Sequence, residues 1–195
     1  MELKEYKLGE IADFNKSSLK NTEEFPVIEY LDTSSITENI ISDVSILNKS
    51  DAPSRAQRKV RNNTIIYSTV RPRLKHYGIL SFPKENLIVS TGFVTIDIKD
   101  IFKDEINPKF LFLLLTQPHI TEYIANIADT AVSAYPSINP SDIASISFAF
   151  PNIKVQKSIS KIWFNYNHKI ELNRSINHNL LLDHSLKGEE VHSVA

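Results

Sequence analysis

The chain has 195 residues, with 22 basic side chains, 23 acidic side chains and no cysteine. This length suits one domain, or one domain with an appendage, and a hydrophobic content of 42% is enough for a sizeable core. The absence of cysteine excludes a disulfide framework and a thiolate metal site, and it fits a reducing compartment. The longest purely apolar run, Phe110 to Leu115, is far too short for a membrane span, and the N-terminus has no signal-peptide core. We therefore expect a soluble cytoplasmic protein.

The first half of the chain is predicted to form mostly short strands. Leu8, Ile11 and Ala12 have helical spacing and predict one short helix near the N-terminus. Segments rich in β-branched and aromatic residues then predict strands over residues 25–31, 40–41, 44–47, 64–70, 77–80, 87–89 and 93–98. Residues 53–63 between them are predicted to be a loop. Gly92 indicates a bend or a close approach of the backbone.

The second half is predicted to be mainly helical. Asn107-Pro108 opens a helix, because the missing N–H of proline has no intrahelical partner in a first turn anyway. The apolar run that follows implies burial. A second helix over 118–127, a helical turn near 141–142 and a strand over 146–150 complete the pattern. The elements predict a mixed α/β fold with a largely β core in one globular domain, residues 1–151.

From Ile153 onward there is no glycine or proline until Gly188. Apolar residues recur at steps of three, four and six, which predicts one long helix over 152–187, followed by a disordered tail at 188–195. Both a coiled coil and packing on the chain's own domain satisfy this spacing. Polar residues at a coiled-coil seam help to fix register and partner number. The candidate dimerisation positions are Ile159, Ile162, Tyr166, Ile170, Asn173, Ile176 and Leu180.

Positive charge is unevenly distributed along the chain. Residues 52–84 contain eight of the 22 basic residues and no acidic residue, which leaves 14 basic against 23 acidic residues elsewhere. Such asymmetry is typical of a site for a polyanion. A solvated loop with scattered lysines and arginines has the same composition.

Patterns for catalysis or metal binding are absent from the sequence. Four glycines cannot build a phosphate loop or a dinucleotide fingerprint. The histidines of the long helix, His168, His178 and His184, lack the i, i+4 pairing of a helical metal site. Ser68 and Ser90 have no accompanying base pattern. We predict a non-catalytic chain with no metal and no cofactor.

Four segments, in this order, resemble the specificity (S) subunit of type I restriction-modification systems. They are residues 52–60 with 66–72, residues 89–93, residues 134–143 and residues 151–159. The resemblance covers about residues 5–182. Asn62-Asn63 and Val155 depart from the family's usual residues. The larger departure is length, because S subunits of this family carry two target recognition domains, each followed by a long helix.

The resemblance implies one mixed α/β recognition domain joined to a spacer helix, in effect a half-subunit. Two copies would pair through their helices and read an inverted repeat with a fixed gap. Family S subunits hold methyltransferase (M) subunits and, through them, the endonuclease (R) subunit. The methyl donor belongs to M, so no cofactor is assigned here.

With double-stranded DNA as the implied partner, each candidate residue receives a role. Arg55, Arg58, Lys59 and Arg61 would grip phosphates. Arg71, Arg73 and Lys75 follow a strand end and would reach a groove, where an arginine can bind guanine O6 and N7. The short polar contacts would come from Ser68, Thr69, Ser90, Thr91, Tyr135 and Ser137.

Two alternatives stay open at this point. A truncated or remnant S subunit would act only as a DNA or protein adaptor. An RNA-binding module is less well supported, because the chain has no aromatic run of the kind that stacks splayed bases.

Overall fold

The computed structural model describes residues 3–20, 25–130 and 137–192, with side chains through residue 177 and at Asn179. The chain divides into two units, Met1–Gln156 and Lys157–Ala195. The strands are β1 (Lys4–Lys7), β2 (Ala12–Phe14), β3 (Val27–Leu31), β4 (Ile36–Thr37), β5 (Ile40–Ile41), β6 (Ser45–Asn48), β7 (Ala56–Lys59), β8 (Thr64–Ser68), β9 (Tyr77–Leu80), β10 (Leu87–Ser90), β11 (Phe93–Ile98) and β12 (Ser147–Phe150). The helices are α1 (Leu8–Ile11), α2 (Pro108–Leu115), α3 (Pro118–Thr130), α4 (Pro140–Ala144) and α5 (Ile153–His192).

Two four-stranded sheets form the centre of the first unit. The first sheet has the order β6-β3-β10-β7 and the second the order β2-β11-β8-β9, while β1-β12 and β4-β5 form two-stranded pairs. The first sheet is mixed, because β10 runs parallel to β3 and antiparallel to β7. The second sheet is antiparallel throughout.

The core follows from the period-two alternation of these strands. Leu31 and Val89 pair across β3 and β10 and join a buried cluster with Ile66 and Phe93 of the second sheet. The other face of the first sheet carries a separate buried cluster that includes Ile28. Successive strand residues point to opposite faces, so one strand serves both clusters. The predicted mixed α/β fold with a largely β core is confirmed.

Helix α2 packs its apolar residues on the second sheet. Asn107 caps this helix, since its side-chain oxygen accepts a hydrogen bond from the backbone N–H of Phe110 at 3.0 Å. The ring of Phe112 meets Tyr77 edge to face at 6.1 Å, and Tyr77 stacks on Tyr67 at 5.4 Å. Burial raises the pKa of Tyr77 to about 12, with a smaller contribution from the nearby carboxylate of Glu38. The helix predicted to begin at Asn107-Pro108 is therefore present and buried.

The first turn of α5 belongs to the globular unit. The Gln156 side chain is fully buried; its Oε1 accepts from the Asn107 N–H at 2.9 Å, and its Nε2 donates to the carbonyls of Glu105 at 2.8 Å and Pro151 at 2.7 Å. A buried amide with these partners is satisfied on both sides. The boundary between the two units lies after Gln156.

The structure departs from the expected elements at several places. Strands β1, β2 and β4 were not predicted, and Ala12, expected in the short helix, begins β2. Residues 56–59 form strand β7, where the sequence predicts loop, because the backbone of this polar segment pairs with β10. Helix α5 is recorded to His192, past the predicted helix end at residue 187. An internal glycine such as Gly188 costs a helix only about 1 kcal/mol relative to alanine. The other predicted strands and helices are present within a few residues of their expected bounds.

Candidate nucleic-acid interface

Several strands begin or finish at the same end of the two sheets. Because β3 and β10 are parallel, the residues after Leu31 and after Ser90 emerge on the same side. Strand β7 begins there as well, since Ala56 pairs with Ser90, and Phe93 at the start of β11 pairs with Ser68 at the end of β8. We call the segments that converge here the loop end; they are residues 32–35, 53–55, 69–76, 91–92 and 137.

Backbone hydrogen bonds join the segments of the loop end. The Thr91 N–H donates to the Arg55 carbonyl at 2.8 Å. The Thr69 N–H and hydroxyl both donate to the Gly92 carbonyl, at 2.9 and 3.0 Å. Ser137 forms an isolated antiparallel bridge with Val70. Four of the predicted contact residues, Arg55, Thr69, Thr91 and Ser137, are thus neighbours, although they come from four separate segments.

Gly92 is a point of close approach, as the sequence predicts. A Cβ atom at this position would lie 2.8 Å from Cγ2 of Thr33. Real Cβ atoms do not come so close, so a larger residue would require the Thr33 side chain to shift. Gly92 therefore allows two segments of the loop end to pack closely.

The segment after β8 has an unusual backbone. Arg71 lies at φ 49° and ψ 64°, and Lys75 at φ 57° and ψ 35°, so both are left-handed. Between them Pro72–Leu74 form a 3₁₀ turn whose proline is buried. Left-handed geometry costs an ordinary residue roughly 1–2 kcal/mol, so the surrounding contacts must hold this turn. Arg71 itself is exposed, and its predicted exclusion from right-handed helical geometry is confirmed.

Arg73 and Lys75 are paired with carboxylates, although the sequence assigns both to a DNA groove. Arg73 donates to Glu122 at 2.8 Å and to Asp129 at 2.7 Å, and these contacts raise the pKa of its guanidinium above its usual range. Lys75 Nζ lies 2.6 Å from a Glu38 oxygen. A base-reading role for either residue would require breaking these pairs.

Ser68 and Ser90 lie inside the protein rather than on its surface. Their relative exposures are 2% and 0%. The Ser68 hydroxyl donates to the Val70 carbonyl at 2.9 Å, and the Ser90 hydroxyl accepts from the Gly92 N–H at 3.2 Å. The prediction that these two side chains are surface contacts is therefore wrong. Each is buried and forms a hydrogen bond that stabilises the adjacent turn.

The basic stretch does not form one continuous surface. Strand β7 carries the chain about 13 Å from the loop end, at about 3.3 Å per residue. Lys59 consequently pairs with Ile88 away from that edge. Arg61 lies beyond it, where its Nε donates to Asp97 at 3.0 Å and its Nη2 to the Ile98 carbonyl at 2.8 Å. The basic residues that are neighbours in sequence are therefore spread along β7 and beyond it.

Arg58 lies within β7, between these two groups. Its side chain is partly buried, and its Nε has no hydrogen-bond partner among the described residues. Lys59 next to it has its ammonium 5.8 Å from the ring centre of Phe25. Tyr135, the remaining candidate, lies outside the described residues.

One loop-end residue was missed by the sequence reasoning. Asp32 lies 3.8 Å from Arg55 and accepts a hydrogen bond from the Tyr30 hydroxyl at 3.0 Å. Burial would raise the pKa of Asp32, but hydrogen bonds from the Thr33 backbone and the Tyr30 hydroxyl outweigh it, and the pKa is lowered. The only sequence signal was the turn-prone Asp-Thr-Ser-Ser after β3, which indicates a turn and no partner.

The second unit presents an exposed apolar stripe along α5. Ile162 is 58% exposed and Tyr166 65% exposed. Ile159, Ile170 and Ile176 continue the stripe and are also exposed, and Asn173 is an exposed polar residue at the same seam. The Leu180 side chain lies outside the described part of the helix. None of the described helices is long and apolar enough to cross a membrane.

The described residues contain no cluster of three or more histidine, aspartate or glutamate side chains able to hold a metal ion. The loop end is instead a set of turns carrying exposed basic and short polar groups at the edge of a mixed sheet. Such a site suits the recognition of a large polar partner.

Comparison with known proteins defines the class. Residues 1–182 match the family described as type I restriction modification DNA specificity domain. The chain belongs to this family, which confirms the resemblance carried by its four sequence segments. Specificity subunits of type I systems are non-catalytic, in agreement with the prediction that this chain is not an enzyme.

The chain is also similar to individual proteins of known name or structure. Over 177 residues, 91% of its length, the chain is 32% identical to the type I restriction enzyme HindI specificity subunit of Haemophilus influenzae. Its fold is similar to the HsdS subunit from Thermoanaerobacter tengcongensis, with a TM-score of 0.72 and 22% identity over 94% of the chain. A chain solved in a study of complex assembly and conformational transition of the type I R-M system gives a TM-score of 0.71 and 24% identity over 88%. The chain spans 38%, 46% and 44% of these three proteins.

Proposed function

We propose that this chain is the sequence-specific DNA-recognition component of a type I restriction-modification complex and reads one half-site of double-stranded DNA. The observation that carries the proposal is the loop end, where Arg55, Thr69, Arg71, Thr91 and Ser137 converge from separate turns. Turns at the end of a sheet can enter a groove while the sheet holds them in register. Family membership supports DNA as the ligand.

Arg71 is the proposed base reader. Its side chain is exposed, and its left-handed backbone places it at the start of a fixed turn. An arginine in the major groove can donate to guanine O6 and N7 together. Thr69, Thr91 and Ser137 would add short polar contacts, and Arg55 would bind a phosphate beside them.

Arg58 and Lys59 are proposed to contact phosphates farther along the same face of DNA. Such contacts give affinity and position without reading sequence. Arg61, Ser68 and Ser90 are left out of the proposed contacts, since their polar groups serve the fold. We retain no groove contact for Arg73 or Lys75.

We further propose that two copies pair through α5. The helix of 40 residues is about 60 Å long at 1.5 Å per residue, and its stripe around Ile162 and Tyr166 is exposed. The relatives are about twice as long as this chain, so a second copy would supply a comparable length. A two-fold pair repeats the same reader and therefore predicts an inverted repeat with a fixed gap.

The proposed partners are methyltransferase subunits bound to the chain, with the endonuclease subunit held through them in the cytoplasm. The HindI relative is named as a specificity subunit of a restriction enzyme. The methyl donor would be bound by the methyltransferase subunit, so we assign no cofactor to this chain.

The test is co-expression with a type I methyltransferase subunit from the same genome, followed by mapping of methylated bases. One modified inverted-repeat motif with a fixed gap is the expected result. An asymmetric motif would contradict the homodimer, because two different halves must then have read it. No new methylation from a soluble, folded chain would contradict the proposed function and favour an adaptor.

The reader and phosphate roles separate in a binding titration. Arg71→Ala should cost about 1–3 kcal/mol of discrimination against an altered base pair. Lys59→Ala should weaken binding to all duplexes about equally and reduce the salt slope by about one. Full discrimination by Arg71→Ala would show that Arg71 is not the reader.

A further inference from the structure

Arg73 is held by three side chains of one helix face. Its guanidinium donates to Glu122 at 2.8 Å, to Asn126 at 3.0 Å and to Asp129 at 2.7 Å. These partners stand at positions i, i+4 and i+7 of α3, which places them on one face. We call this set the α3 clamp.

The turn that carries Arg73 is also fixed on its other side. Lys75 pairs with Glu38, and the Lys75 carbonyl accepts a hydrogen bond from the Glu38 N–H at 2.9 Å. Within the turn, the Leu74 N–H donates to the Arg71 carbonyl and the Lys75 N–H to the Pro72 carbonyl, both at 2.9 Å. Two left-handed residues therefore persist in a turn that is held from two directions.

The charge of the α3 clamp argues against a direct contact between Arg73 and DNA. One guanidinium and two carboxylates leave the cluster with a net negative charge, which phosphates repel. Moving Arg73 to a phosphate would leave Glu122 and Asp129 without their cation. The hydrogen bonds from Arg73 lower the pKa of Glu122, so this carboxylate is ionised at neutral pH.

We propose that Arg73 is a positioning residue, which the α3 clamp uses to hold the turn of residues 71–75 in the geometry that presents Arg71 to a base. The inference rests on the function proposed above and assigns to Glu122 and Asp129 a specificity role that needs no DNA contact of their own. Preformed geometry improves discrimination, because a loose turn can adapt to the wrong base pair as well as to the right one.

The test uses the full chain and its cognate duplex, obtained by selection from randomised DNA. The clamp variant is Glu122→Gln/Asp129→Asn, which keeps side-chain size and removes both charges. A matched control, Asp13→Asn/Glu105→Gln, removes two carboxylates that pair with Lys16 and Lys4 instead. Both variants change net charge equally, so a general gain in DNA affinity cancels in the comparison.

We expect the clamp variant to lose about tenfold of its discrimination between cognate and altered duplexes, the scale of one misread base pair. The control should retain discrimination. Arg73→Met should lose a similar factor of discrimination without changing the salt slope of DNA binding. The triple variant, which combines Arg73→Met with the clamp variant, should lose little more discrimination, because both changes disrupt the same α3 clamp. Hydrogen exchange at Leu74 and Lys75 should accelerate in the DNA-free clamp variant.

Opposite results would overturn the inference. If Arg73 contacted DNA directly, removing its carboxylates would release it, so the clamp variant would keep or gain cognate affinity, and Arg73→Met would lower the salt slope by about one. Unchanged exchange at Leu74 and Lys75 would likewise refute the positioning role. If the wild-type chain selects no cognate duplex, the proposed function fails, whereas faster exchange in the clamp variant would still establish that α3 holds the turn.

Discussion

Helices α2 and α5 both carry large apolar side chains, yet they place them in opposite environments. In α2, Leu111 is fully buried and Phe112 is 1% exposed. In α5, the exposed fractions of Leu172, Ile162 and Tyr166 are 51%, 58% and 65%. Burial removes apolar surface from water and stabilises the folded chain. The side chains of α2 therefore stabilise the domain itself, whereas the exposed side chains of α5 contribute little to its stability.

The sharpest test of this comparison makes the same substitution in each helix. Leu111→Ala removes a fully buried side chain from α2 and should lower the free energy of unfolding by about 3 kcal/mol, within the usual range of 2–5. Leu172→Ala in α5 should change it by less than about 0.5 kcal/mol. Chemical denaturation, followed by a spectroscopic signal from the globular domain, measures the unfolding free energy of both variants. Equal losses would mean that α5 packs as tightly as α2.

A second pair of variants compares ion pairs in the two units. Asp97 is buried and accepts hydrogen bonds from Arg61 at 3.0 Å and Thr64 at 2.6 Å. Asp97→Ala leaves both donors unsatisfied and should cost about 2 kcal/mol. The exposed pair of Arg174 and Glu171 in α5 has a similar distance of 3.0 Å. Glu171→Gln should cost less than about 0.5 kcal/mol. Comparable losses for the two variants would contradict the distinction between a buried and an exposed ion pair.

The elements that could be predicted from sequence are those whose pattern is local. Strand β8 combines β-branched and aromatic residues, and Asn107-Pro108 carries both a capping side chain and a proline suited to a first turn. Strand β7 could not be predicted this way. Its Gln57, Arg58 and Lys59 are polar, and the segment is a strand because β10 offers an edge to pair with.

The candidate site was less predictable than the fold, because the partners of its charges are distant in sequence. Arg73 meets residues 49 to 56 positions away, and Lys75 meets a residue 37 positions away. A basic stretch without acidic neighbours in sequence thus acquires them in space. Three of the four family segments contribute residues to the loop end, whereas the division of the basic residues by β7 depended on strand pairing.

A smaller effect is expected from acid on the α3 clamp. The pKa of Glu122 is lowered in the folded chain by its hydrogen bonds with Arg73. A lowered carboxyl pKa contributes stability that is present above the ordinary glutamate pKa of about 4.3 and is lost as pH falls through the folded value. The amide resonances of Leu74 and Lys75 should therefore shift below about pH 4. Glu122→Gln should abolish the part of this pH-dependent resonance shift that comes from Glu122. If the titration is unchanged in Glu122→Gln, protonation of Glu122 does not affect the turn.

The smallest effect on domain stability should come from changing the apolar stripe of α5. Such a change should affect association of two copies without affecting domain stability. Ile162→Asp/Tyr166→Asp introduces two charges at exposed positions and should leave the unfolding free energy of the domain within about 0.5 kcal/mol. The same variant should convert a dimer to a monomer in sedimentation, because each charge would be buried without a partner at a helix pair. His168→Asp/Ser175→Asp places two aspartates on the opposite face of the helix and should retain the dimer. If both double variants dissociate, helix charge rather than the stripe governs pairing. If neither does, or if wild type is already monomeric, the apolar side chains of α5 do not join two copies, and the proposed homodimer on an inverted repeat is wrong.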